Sequence, residues 1–132
     1  MKFYYKNQLI RTSKTHHYTH ACIIEREGKK PIVCGCSASR EGAEKVKAQR
    51  LNQIENSIDF LTKAIEADEN GKSYFYAKDG RKDKKFTFAE LRDGSFGSKW
   101  FTLDAMKERI KSEQDDYKYV SKNWIIVEVE EK

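Results

Sequence analysis

A chain of 132 residues, 38% hydrophobic and 36% charged, is expected to form a single domain over residues 1–132 with a modest core. Its 12% aromatics speak against disorder, and no apolar run approaches the roughly 20 residues that span a bilayer. Lys and Arg outnumber Asp and Glu by 26 to 21, a net charge of +5 that leans toward anionic partners, and an odd number of cysteines, three, argues against a secreted disulfide framework.

With no signal-peptide pattern at its start, the chain is expected to be soluble and cytoplasmic. So thin an apolar supply with so many aromatics suits a small subunit that completes its core, or its site, by pairing with copies of itself.

Residues 2–12, KFYYKNQLIRT, predict a tight hairpin turning at Lys6-Asn7. HYTHACIIEREGKKPIVCGC, residues 17–36, predicts a second one turning near Glu27-Gly28-Lys29-Lys30, with Pro31 where a missing amide donor does little harm. Ser39 is a good N-cap for a long helix ending near Asp68, because Leu51, Ile54, Ile58, Leu61 and Ile65 form one apolar seam, widened by Ala43, Ala64 and Ala67. Gly71 suits the left-handed residue that closes such a helix. The seam also suits dimerisation through this helix.

A third hairpin is expected over residues 73–91, its tip near Asp79-Gly80, carrying Tyr74, Phe75, Tyr76, Phe86 and Phe88. After a glycine-serine loop over residues 92–99, Thr102 caps a short helix from Leu103 to about Ser112. DDYKYVSKNWIIVEVEE, residues 115–131, closes the chain as a strand, with Trp124–Val129 largely buried. The fold class is α+β: an antiparallel sheet of hairpins with one long amphipathic helix and a short C-terminal helix, without internal repeat or linker.

All three histidines fall within IRTSKTHHYTHACI, residues 10–23. If the second hairpin faces Cys22 with Cys36 and Ile24 with Cys34, then His20, Cys22, Cys34 and Cys36 share a face, which raises the question of zinc. Cys-x-Cys on one strand separates the side-chain origins by roughly 6.7 Å, whereas structural zinc sites use knuckles that curl around the metal, so buried small hydrophobes are the better account. No nucleophile signature accompanies His16, His17 or His20, so general-base catalysis has no partner. At a strand edge these histidines form scaffold first, with Arg11 and Lys14 as secondary anion contacts.

RDGSFGSKWFTLDAMKER, residues 92–109, is richer. Gly94 and Gly97 free backbone amides, Ser95 and Ser98 add hydroxyls, and a helix N-terminus follows at Thr102. Phe96, Trp100 and Phe101 lie between Arg92 and Arg109, the ingredients of a pocket that stacks a base and holds phosphate. The spacing is not that of a P-loop, and a plain surface loop followed by core aromatics accounts for the same residues. GRKDKK, residues 80–85, has the basic character of single-strand nucleic-acid binders, and equally that of a solvated turn.

An aromatic first strand leading into IRTSKTHHYTHA, a cysteine-bearing second hairpin, one long amphipathic helix and an aromatic, arginine-bearing C-terminal half resemble small phage and prophage proteins of Gram-positive bacteria. Among these the chain most resembles the first family of Thoeris anti-defence proteins. That resemblance implies a sponge and not an enzyme: a protein of the infected host's cytoplasm that binds cyclic ADP-ribose isomers made by bacterial TIR-domain enzymes and holds them unaltered. It implies homo-oligomers built from dimers, up to hexamers, with shared pockets, and in some members separate basic sites for cyclic di- or trinucleotides. It points to Phe88, Phe96 and Trp100 for stacking, and to Arg92 and above all Arg109 for phosphate. Arg92 would be a departure where the family has an amide.

The implied partner is a small cyclic nucleotide signal, with no cofactor, no metal and no membrane, and with nucleic acid disfavoured. The alternative is a phage-encoded inhibitor that binds a host defence protein or nucleic acid, in the manner of an anti-CRISPR factor.

Overall fold

The computed structural model describes residues 1–94 and 98–132, and the chain is α+β, with antiparallel strands and three α-helices among those residues. It divides into two compact units: Met1–Asn52 with Lys118–Lys132, and Gln53–Tyr117. No helix among the described residues is long and apolar enough to cross a membrane.

In the first unit, strands β1 (Lys2–Tyr5) and β2 (Gln8–Thr12) meet at Lys6-Asn7, where φ is 47° and 63°. Two successive positive φ values mark a turn whose twist matches that of the strands. β3 (His20–Ile24) lies between β4 (Ile32–Ser37) and β7 (Trp124–Glu128), while β1 lies between β2 and β8 (Glu130–Glu131). The C-terminal segment therefore leaves one sheet and enters the other across Val129, whose N–H donates to the Thr19 carbonyl at 2.9 Å. Phe3, Ala21, Cys22 and Ile23 are buried in this unit, and the Phe3 ring meets Tyr18 edge-on at 5.1 Å.

Helix α1 (Arg40–Glu69) starts as expected: the Gly42 N–H donates to Ser39 Oγ at 3.0 Å, and the Ala43 N–H to the Ser39 carbonyl at 3.2 Å. Gly35 of β4 lets the strand approach this helix, for a Cβ there would lie 2.9 Å from Val46 Cγ2. The helix ends on Gly71 at φ 70°, with the Lys72 N–H bonded to the Ala67 carbonyl at 2.9 Å and the Gly71 N–H to the Asp68 carbonyl at 3.1 Å. This double closure satisfies two carbonyls that would otherwise be orphaned at the helix end.

The second unit contains β5 (Tyr74–Asp79) and β6 (Lys82–Thr87), joined by a turn at Gly80 with φ 68°, and helices α2 (Phe88–Asp93) and α3 (Leu103–Asn123), the latter continuing into the first unit. Its core holds Leu61, Ala64 and Ala67 of the α1 seam, together with Phe75, Ala77, Phe88, Phe101 and Met106. Phe75 is the hub, with ring centroids 5.1 Å from Phe60, 5.6 Å from Phe86 and 5.5 Å from Phe88. Such aromatic pairs add about 0.5–1.5 kcal/mol each beyond the area they bury. Because Ile54, Leu61 and Ala64 are fully buried inside the chain, that part of the seam is not left as a dimerisation face.

Several expectations change. The strand expected over residues 115–131 is helical as far as Asn123, so the C-terminal helix runs well past Ser112. Leu103, Met106, Ile110, Tyr117 and Val120 keep a helical period that no Gly or Pro interrupts, and this period outweighs the local β propensity of Tyr117–Val120. Trp124–Val127 are half-buried, as befits a strand at a sheet edge. The third hairpin, expected to reach residue 91, ends at Thr87, and Phe88 opens α2, because Thr87 caps there with Oγ1 accepting from the Glu90 N–H at 3.2 Å.

In the second hairpin Cys22 pairs with Gly35, not Cys36, and Ile24 pairs with Ile32, not Cys34. A bulge between Cys22 and Ile23 shifts the register and makes Cys34 the extra residue. All three cysteines are free thiols. Burial pushes the Cys22 thiol up to about 11, and the neighbouring Cys34 adds to the rise.

Three stability measurements follow from this packing. Leu61→Ala is expected to cost about 2–5 kcal/mol in urea unfolding. Gly71→Ala is expected to cost roughly 1 kcal/mol through backbone strain alone, since a Cβ there meets nothing within 4 Å. The unfolded Cys22 thiol ionises near 9.0 and the folded one near 11, so stability held by the protonated thiol is whole below pH 9 and is lost as pH rises toward 11. Comparing wild type with Cys22→Ala at about pH 8 and about pH 10.5 should show the wild type losing roughly 2 kcal/mol more than the variant.

Candidate functional site

The histidine segment does not converge. β2 ends at Thr12 and β3 begins at His20, so His16 and His17 lie in a connection and not on a strand edge. Ser13 Oγ folds this connection by accepting the His16 N–H at 2.9 Å and the Thr15 N–H at 3.3 Å. His16 stacks on Tyr18 at 5.7 Å, His17 Nδ1 is 3.2 Å from Glu131 Oε2, and His20 Nδ1 is 2.8 Å from Thr19 Oγ1. Each imidazole has its own local partner. Among the described residues no three His, Cys, Asp or Glu side chains come together as a group that could hold a metal.

Arg11 lies in β2 opposite Phe3 and is exposed, as is Lys14 in the connection after it. The Arg11 guanidinium is close enough to the Cys36 thiol to oppose the upward push of burial there.

The arginines of the C-terminal half part company. Arg92, in the last turn of α2, donates through Nε and Nη2 to the Phe101 carbonyl at 3.4 and 3.1 Å, and its Nη2 lies 3.7 Å from Asp68 Oδ2. Its guanidinium also covers the Phe88 ring at 4.9 Å. These contacts tie Arg92 into the fold, capping a backbone carbonyl and pairing with a carboxylate. Phe88 is only 4% exposed and belongs to the core. Phe96 lies outside the described residues.

Arg109 and Trp100 do come together. Trp100 sits in a short 3-10 turn, Ser98–Phe101, and keeps 50% of its surface exposed. Thr102 then caps α3, its Oγ1 accepting the Ala105 N–H at 3.2 Å, which places Arg109 on the second turn of that helix. The Arg109 guanidinium lies 5.8 Å from the Trp100 centroid and 5.7 Å from that of Phe101. Each contact of this kind is worth about 0.5–1 kcal/mol at an exposed site, enough to orient the guanidinium without consuming its hydrogen-bond donors.

Trp100, Ala105, Glu108, Arg109 and Ser112 line an open groove of about 660 Å³. Ala105, Glu108, Arg109 and Ser112 recur at helical spacing on one face of α3, a period readable from residue 105 onward once the helix is known to continue to Ser112 and beyond. The Glu108 carboxylate offsets the Arg109 charge, so an anion entering here is attracted on one side and repelled on the other. Chemically the groove offers an indole surface, one guanidinium, one carboxylate and one hydroxyl. No family model matches the sequence, and no curated protein or solved structure matches it, so the groove is described by its own geometry.

Proposed function

We propose that this protein binds a small nucleotide-type signal and holds it unchanged, with Trp100 offering a surface for the base and Arg109 a donor fork for phosphate. The observation that carries the reading is the placing of Arg109 against Trp100 at 5.8 Å on the wall of an open groove. A guanidinium held by ring faces keeps its planar donors for an anion, which is what phosphate recognition requires. Sequestration needs ground-state affinity only, and such a groove supplies stacking and charge.

The resemblance noted for the sequence narrows the signal to cyclic ADP-ribose isomers and the setting to a phage protein acting in the bacterial cytoplasm. It also makes the working form a homo-oligomer. An open groove with a single guanidinium is half a site for a ligand with two phosphates, and Arg11 and Lys14 of a neighbouring copy are the cations that would complete it. Arg92, already bonded to Phe101 and Asp68, serves the fold in this reading.

Isothermal titration of the purified protein with cyclic ADP-ribose isomers, followed by mass analysis of the recovered ligand, tests the proposal. Tight binding of at least one isomer is expected, with the ligand recovered intact. Arg109→Ala should weaken it by roughly tenfold or more, the loss of a charged hydrogen-bond donor of about 1.5–3 kcal/mol. Glu108→Gln should tighten it a few-fold by removing the opposing charge, on the order of 0.5–1 kcal/mol. Arg92→Ala should instead lower the unfolding midpoint. No heat with any isomer, or recovery of a cleaved ligand, sinks the reading.

A further inference from the structure

The hairpin of β5 and β6 separates its aromatics by the period of a strand. Phe75 and Ala77 point into the core at 5% and 1% exposure, while Tyr74 and Tyr76 stand on the other face at 40% and 58%. The register puts Lys85 across from Tyr76, and the Lys85 ammonium lies 4.6 Å from the Tyr74 centroid. The two tyrosine rings meet edge to face at 6.0 Å. Tyr76 therefore presents the more open ring, with a cation beside it.

Residues 72–87 hold six Lys and Arg against two Asp, a local excess of four. Lys78 pairs with Asp83 at 3.4 Å, but Lys72, Lys84 and Lys85 enter no ion pair among the described residues. A shallow cleft of about 340 Å³ adjoins the tyrosines, with Lys63 and Lys72 among its walls.

We infer that the Tyr74–Tyr76 face of this hairpin binds single-stranded nucleic acid, with Tyr76 stacking on a base and Lys72 and Lys85 holding the flanking phosphates. A flat ring beside unpaired cations fits a base beside its phosphates, and the stacking is tolerant of sequence because every base has a π-face. An acidic protein partner would use the lysines but leave two exposed tyrosine rings without a role. The duplex is a poor fit, because its bases are already stacked on one another and closed to Tyr76. This face shares no residue with the Arg109 groove and does not depend on the function proposed for it.

The test is fluorescence anisotropy with the full chain and labelled 15-mers of deoxythymidine and of uridine, an abasic strand and a duplex of the same length. Either single strand is expected to bind more tightly than the duplex. Affinity should fall roughly sevenfold between 50 and 200 mM salt, as the two phosphates held by Lys72 and Lys85 are neutralised. Tyr76→Ala should weaken binding by about fivefold or more, while Tyr76→Phe keeps it, the ring being what stacks. The abasic strand should bind wild type no better than the base-bearing strand binds Tyr76→Ala. Circular dichroism checks that the variants fold, and Tyr76→Ala should leave the titration with cyclic ADP-ribose unchanged. Absence of binding to both single strands, equal affinity for the abasic strand, or loss of self-association in Tyr76→Ala without any oligonucleotide binding would overturn the inference.

Discussion

Phe101 is buried at 5% exposure in the core of the second unit, and the positions of both candidate arginines follow from that burial. Its carbonyl takes the Nε and Nη2 donors of Arg92, and its ring shares the Arg109 guanidinium with Trp100. A ring of this size cannot leave a packed core without a cost of several kcal/mol, so its backbone and ring faces are fixed points for whatever lies beside them. The two arginines flank the same loop in sequence yet end with opposite roles. One satisfies a carbonyl and a carboxylate inside the fold; the other rests on ring faces and, among the described residues, makes no hydrogen bond or ion pair.

The same logic of two faces sorts the aromatics of the hairpin. Strand alternation gives Phe75 and Phe86 to the core and Tyr74 and Tyr76 to solvent, and the residue types agree with their places, since a buried phenol would need a hydrogen-bond partner that phenylalanine does not. Phe75 then draws Phe60 and Phe88 to it. Here the chemistry of the surface is a by-product of how the core is filled.

In the first unit the decisive detail is a single extra residue. The bulge at Cys22 and Ile23 moves Cys22 opposite Gly35, and Gly35 in turn admits Val46 of α1 at a distance that a Cβ would not allow without movement. Cys22 is thereby enclosed, its thiol held protonated by burial. The cysteines are packing groups in this arrangement, with reactivity suppressed by the same desolvation.

Local signals in the sequence were enough for the elements governed by local physics: the turn at Lys6-Asn7, the cap at Ser39, the seam from Ile54 to Ala67, the closure at Gly71, the tip at Gly80 and the cap at Thr102. Each rests on a dihedral preference or a hydrogen bond within a few residues, which the sequence states directly. In residues 115–123 β-favouring side chains compete with a helical period, and the burial of Val120 decides the contest only in the folded chain. Of the candidate site, the nearness of Trp100 to Arg109 was legible as residue types at a loop and helix start. That Phe88 is core, that Arg92 is bonded inward and that Glu108 faces the groove were not, because each depends on a partner distant along the chain or on which face of a helix is covered. Composition and short-range geometry are written in the sequence; exposure and partnership belong to the tertiary structure, because they are properties of what the rest of the chain leaves uncovered.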